Sequence, residues 1–323
     1  MTMSANGLSI VRYIRLNEPV SAVAISENGR HVLTGAERSL SLFTREGERL
    51  FRYALPKTAD PTRSLPFIET VLAPGGERGL AIQRSGEFLR LDLRPLSDPE
   101  AWSPVEIEEF WRTDSDVYTI DYWPDEDLIG VGHFSEAITL LDTKGRVHWR
   151  QATKGRTWAV TFDPRGDVLY VGSSDAPPFR LAGLSVEQGS TRTGRLVQER
   201  VMALASLPAP LAIAAVHRGE WASYLQAYTP DLKEAWRFEC DFGEYITAIT
   251  SNVDADILAL GFNTGQITIL QASTGQVWAQ DFLASVILSL DASGGQHLVA
   301  GLQDGHAAIL FFIPPSAQNA FVL

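Results

Sequence analysis

Short runs in which apolar residues alternate with polar ones, bounded by Gly, Pro, Asn and Asp, fill the chain from end to end. A period of two is the signature of half-buried strands joined by tight turns, and no stretch carries the longer period of an extended amphipathic helix. Aligned on one another, the runs share one unit: an alternating strand, a Gly or Pro turn, an apolar strand ending in Gly, a short polar loop, a third strand, a second turn and a fourth, more polar strand. TWAVTFDPRGDVLYVGSS is the clearest copy, with Ala159 to Phe162 as first strand, DPRGD as turn and Val168 to Val171 as second strand.

Units open near positions 20, 68, 117, 157, 201, 246 and 286, roughly 40 to 49 residues apart, the period of four-stranded propeller blades. The prediction is an all-β, seven-bladed β-propeller of four-stranded antiparallel blades, one domain over residues 1–323. A continuous β-sandwich is the alternative, but it does not need one strand-turn grammar to recur at a fixed interval. QASTGQVWAQ, LDTKGRVHW and YTPDLKEAW each end a turn and fourth strand in tryptophan, so Trp278, Trp149 and Trp236 are expected to pack on the neighbouring blade; Phe51 holds the same slot in LFTREGERLF. The last unit shows three strands before a tail at 314–323, while GLSIVRYIRL (7–16) precedes the first unit with no blade of its own. That N-terminal strand is predicted to close the last blade and so protect the edge of the ring.

FDPRGDVLYVGSSD, ISENGRHVLTGAE and LDASGGQHLVAGLQDG resemble the first half of WD repeats, and QASTGQVW and LDTKGRVHW resemble the tryptophan-docking motif of quinoprotein-type (PQQ-like) propellers. The resemblance spans about residues 7 to 313, although no third strand ends in Trp-Asp. It implies a divergent WD-repeat-like or PQQ-like ring. Because prokaryotic propellers of this hybrid kind are often accessory subunits of multi-protein machines, it also implies a protein partner. Periplasmic quinoprotein dehydrogenases carry a signal peptide and, in many members, a vicinal cysteine pair over the cofactor; this sequence shows neither, so PQQ chemistry is not expected.

Composition narrows the function further. At 323 residues and 45% hydrophobic there is material for a large core, and a net charge of -12 makes nucleic acid an unfavourable direct ligand. Two segments run against that charge: HWRQATKGRTW (148–158) and the stretch from Arg192 to Arg200 are locally basic, readable as solvated loop charges or as an anion site. Cys240 is the single cysteine and reads as a partly buried strand residue. The six histidines show no metal-ligand spacing, and neither a nucleophile elbow nor a phosphate loop is present, so no cofactor, no metal and no catalytic residue is expected. TDSD (113–116) and PDED (124–127) read as solvated carboxylates rather than a calcium loop. The opening residues lack the pattern of a secretory signal and no apolar run reaches the roughly 20 residues of a membrane span, so a cytoplasmic protein without membrane insertion is expected.

In such a ring the loops between blades and those between second and third strands share one face. The candidate partner-binding residues there are Arg38, Arg84, Phe134, Arg156, His217, Arg218, Trp221, Phe242, Tyr245, Phe262 and Phe282. Large aromatics and arginines in polar loops are the residues that most often anchor interfaces. The leading expectation is therefore a non-catalytic interaction platform within a multi-subunit assembly. The alternative is a small-ligand sensor, or a hydrolytic or redox enzyme, whose site at the channel mouth uses His133, His217 and nearby carboxylates. A third reading docks the ring to a neighbour by edge pairing. The Pro-rich segment 54–66 and the stretch from Arg94 to Trp111, with Trp102, fall outside the repeat; the latter is readable as a second contact surface or as loop variation.

Overall fold

The alternation resolves into strands β1 (Leu8–Arg15) to β28 (His306–Phe312), arranged among the described residues as seven four-stranded antiparallel sheets. The computed structural model describes residues 7–55, 66–73, 76–94, 105–173, 175–294 and 296–313. Most of the Pro-rich segment, Trp102 and the tail at 314–323 lie outside them. Among the described residues no helix is long and apolar enough to cross a membrane.

The first strand of each blade lies innermost: β2 (Val20–Ile25), β6 (Phe67–Leu72), β10 (Val117–Trp123), β14 (Thr157–Phe162), β18 (Arg200–Ser206), β22 (Ile246–Asn252) and β26 (Ile287–Ala292). Each packs on the inner strand of the next blade, and β26 packs on β2, which completes the ring. The seventh blade runs β1-β28-β27-β26, with Leu8 opposite Phe312 and Arg15 opposite His306. The N-terminal strand thus closes the ring as the sequence predicts.

Apolar clusters fill the spaces between successive sheets, because in every blade the alternate residues of the middle strands face the neighbouring sheets. The recurring second-strand glycine has its reason here. A Cβ on Gly172 would lie 2.8 Å from Val201 of the next blade, too close for any side chain. The fourth-strand tryptophans behave as expected. Trp149 donates its indole N–H to the Val186 carbonyl at 2.6 Å and covers Gly189, whose φ of 68° turns the following blade. Trp236 covers Gly275 in the same way, and Trp278 stacks on Phe312 at 6.0 Å. All three are partly buried, so each contributes a fraction of the about 1.5–3 kcal/mol that full burial of a large apolar side chain is worth, and the contacts hold blade to blade.

Candidate functional site

Connections and one strand end on the loop face display large aromatics to solvent: Phe134 is 41% exposed, Trp221 61% and Phe242 82%, and Phe282, the last residue of its strand, 64%. Trp221 and Phe242 come from two different connections of the fifth blade and stack at 5.8 Å. Their backbones are tied together. The Gly243 N–H donates to the Trp221 carbonyl at 2.8 Å, and the Tyr245 hydroxyl to the Glu220 carbonyl at 3.1 Å. Asn263 locks the same corner by accepting from the Tyr245 N–H at 2.7 Å and donating to the Gly243 carbonyl at 3.2 Å. Exposed apolar area is therefore presented on a fixed frame, which lowers the ordering cost of binding.

Beside this pair runs a ladder of rings and guanidinium groups contributed by four blades. Arg84 stands 4.9 Å over Tyr118, Tyr118 stacks on Phe134 at 5.5 Å, and Arg156 stands 4.1 Å over Phe134. Trp158 packs against Tyr118 at 4.9 Å and carries Arg200 at 4.6 Å. Arg218, opposite Arg200 in the register of β18 with its neighbour, stands 4.4 Å over Tyr245 at the Trp221 corner. Arg38 and Phe282 are exposed on the same face and, among the described residues, join neither ring cluster.

Two expected members of this face are not there. Phe262 is fully buried between the fifth and sixth blades, packed with Ile246, Leu225 and Val216; it ends its strand in register with Ile246, in a middle strand buried along its whole length. His217 is likewise fully buried, stacked on Tyr224 at 4.7 Å and hydrogen-bonded through Nε2 to the Tyr228 hydroxyl at 3.0 Å. His133 meets the same fate, with Nε2 2.9 Å from Thr139 Oγ1. Burial pushes both histidines down to about 4, so they stay neutral at pH 7. The channel-mouth site imagined from these two imidazoles does not form.

Three ladder residues escaped the sequence reading: Tyr118, Trp158 and Arg200. The signal for Trp158 and Arg200 lay in the two basic segments, whose ends meet only because consecutive blades are neighbours in space, while Tyr118 sits outside both.

The second feature is the channel itself, a cavity of about 470 Å³ lined by the inner strands and the turns that follow them. It opens at the end opposite the loop face. Glu27, Glu69, Asp121, Asp254 and Asp291 line it, and no Lys, Arg or His does so among the described residues. Asp121 and Asp291 occupy equivalent inner-strand positions and serve the ring: Asp121 Oδ2 accepts from the Phe162 N–H at 2.7 Å and the Thr161 hydroxyl at 2.9 Å, and Asp291 Oδ2 accepts from the Ile25 N–H at 2.8 Å. Each caps an inner-edge N–H of the following blade that no strand pairs with. Among the described residues Glu69 accepts only a 3.2 Å bond from the adjacent Thr70 N–H. Burial raises all three, Glu69 to about 8, Asp291 to about 7 and Asp121 to about 6. Among the described residues no group of His, Cys, Asp and Glu is arranged to hold a metal ion. Burial, reinforced by Glu244, Glu239 and Asp241, pushes the Cys240 thiol up to about 12, far from a thiolate nucleophile.

No family model and no curated protein matches this chain.

Proposed function

We propose that the protein is a non-catalytic interaction platform, a divergent WD-repeat-like or PQQ-like ring that captures a protein partner on its loop face and serves in a larger assembly. The observation that carries this reading is the Trp221–Phe242 pair, two stacked rings held mostly in solvent on hydrogen-bonded loops. A stable fold gains nothing from that exposure, and Trp at the centre of a rigid patch is the commonest kind of binding anchor.

Replacing both rings, Trp221→Ala with Phe242→Ala, is expected to abolish co-purification of partners from the native source while shifting unfolding free energy by less than about 1 kcal/mol. Mass spectrometry of the material captured by parent and variant, beside a urea melt of each, checks both halves. Equal capture by the two proteins, or a large stability loss, removes the face from consideration.

The acidic channel favours a second reading, a sensor of a small cationic ligand. Native mass spectrometry of the purified protein tests it directly, since a retained small molecule would add a discrete mass that high salt strips away.

A further inference from the structure

The arginine ladder gives the partner a chemistry, and the inference rests on the platform reading above. We propose that the loop face binds a short acidic peptide segment of the partner, its carboxylates received by Arg84, Arg156, Arg200 and Arg218. Four guanidinium groups are gathered on one face of a chain whose net charge is -12. Among the described residues Arg156 alone of the four has a carboxylate partner, Asp175 at 3.5 Å. Arg200 and Arg218 are opposite in the strand register, and their guanidinium groups rest on rings to either side of the fifth blade, Arg200 on Trp158 and Phe179 of the fourth and Arg218 on Tyr245 beside the sixth. The Arg200 Nε–H finds no acceptor among the described residues. Internal ion pairing therefore does not account for these cations.

Their seating does account for what they can bind. A guanidinium lying over a ring is fixed in position, yet its N–H edge points away in its own plane, the geometry a carboxylate meets with two parallel hydrogen bonds. Exposed Phe134 within the ladder and Trp221 with Phe242 at its far corner add apolar contact for side chains between the acids. A nucleic-acid strand could use rings and arginines too, but its continuous phosphate charge is repelled by the acidic remainder of the surface, whereas a short peptide confines its charge to the ladder.

The test titrates fluorescently labelled octaglutamate, and separately a labelled thymidine octanucleotide, into the full chain at low ionic strength and follows anisotropy. Octaglutamate is expected to bind the parent, to weaken about tenfold or more in the double variant Arg84→Gln/Arg200→Gln, and to weaken less in Arg84→Lys/Arg200→Lys, which keeps charge and loses the planar fork. Absence of octaglutamate binding, equal binding by parent and glutamine variant, or tighter binding of the octanucleotide overturns the proposal. If the glutamine double variant does not fold, Arg84→Gln alone carries the comparison, because Arg84 stands at the end of the ladder. Capture from the native source with the same variants separates the two readings. Partners retained by the glutamine variant leave the platform standing and remove the acidic peptide; no partner even for the parent removes the platform, whatever octaglutamate does.

Discussion

Removing residues 1–16 is expected to lower the melting temperature by about 10 °C or more, or to abolish cooperative unfolding altogether. The segment supplies the whole of β1, which pairs with β28 from Leu8 opposite Phe312 to Arg15 opposite His306. Leu8 is fully buried and Ile14 nearly so, each worth about 1.5–3 kcal/mol of burial, and the lost ladder adds to that. The sum reaches a large part of the total stability of an ordinary domain, about 5–15 kcal/mol. The cut also bares β28 as a long apolar edge, so the truncated chain should self-associate. Circular dichroism melts and light scattering of the truncated protein check both effects, and a synthetic peptide covering residues 7–16 should restore the melt when added back. A truncated protein as stable and as monomeric as the parent would show that the ring does not depend on its closing strand.

The closing strand was legible because closure is a counting problem: a repeat with three strands at one end and a spare strand at the other has one economical solution. Blade openings were legible for a related reason, since the alternation recurs in every blade and a second-strand glycine in five of the seven, Ile82 and Val216 holding its place in the other two. Gly172 must be small because Val201 comes so near, and that leaves a mark in the sequence. What was misread lay at strand ends. Phe262 and His217 fall beside polar loops in the sequence, but each belongs to a second strand that runs on to Phe262 or Arg218, and a middle strand covered by a neighbouring blade on both faces buries its residues whichever way they point. The ladder was half legible. Arg84, Phe134 and Arg156 were expected on the face, while Tyr118, Trp158 and Arg200 begin inner strands and their meeting depends on the angle between blades. The channel carboxylates left no mark at all. Glu69, Asp121 and Asp291 are single acidic residues in otherwise ordinary alternating strands, and their common environment exists only once seven inner strands face one axis.

Those carboxylates yield the second large effect. Glu69→Gln is expected to stabilise the protein on the order of 2 kcal/mol at about pH 8.5 and to leave it nearly unchanged at about pH 5. In the folded chain burial, with Asp291 and Asp121 close by, raises the Glu69 carboxyl from 4.5 to about 8, so between those values the fold holds a proton that the unfolded chain has released. Where the folded state binds more protons, stability falls as pH rises: the contribution is most favourable below the unfolded value and is lost by the time pH passes about 8. The full shift would be larger in a dry site, and water admitted to the channel reduces it. Asp291 and Asp121, raised to about 7 and about 6, add to the same slope. His133 and His217 oppose it on the acid side, because imidazoles held neutral by burial make the fold less stable as pH falls below their unfolded value of 6.5. The difference between variant and parent cancels the histidines and isolates the carboxyl. Urea unfolding of both proteins across this pH range measures that difference, and a gain that stays flat with pH would show that Glu69 is solvated and titrates as an ordinary carboxylate. Gln at this position can still accept the Thr70 N–H, so the comparison removes a charge while keeping that hydrogen bond.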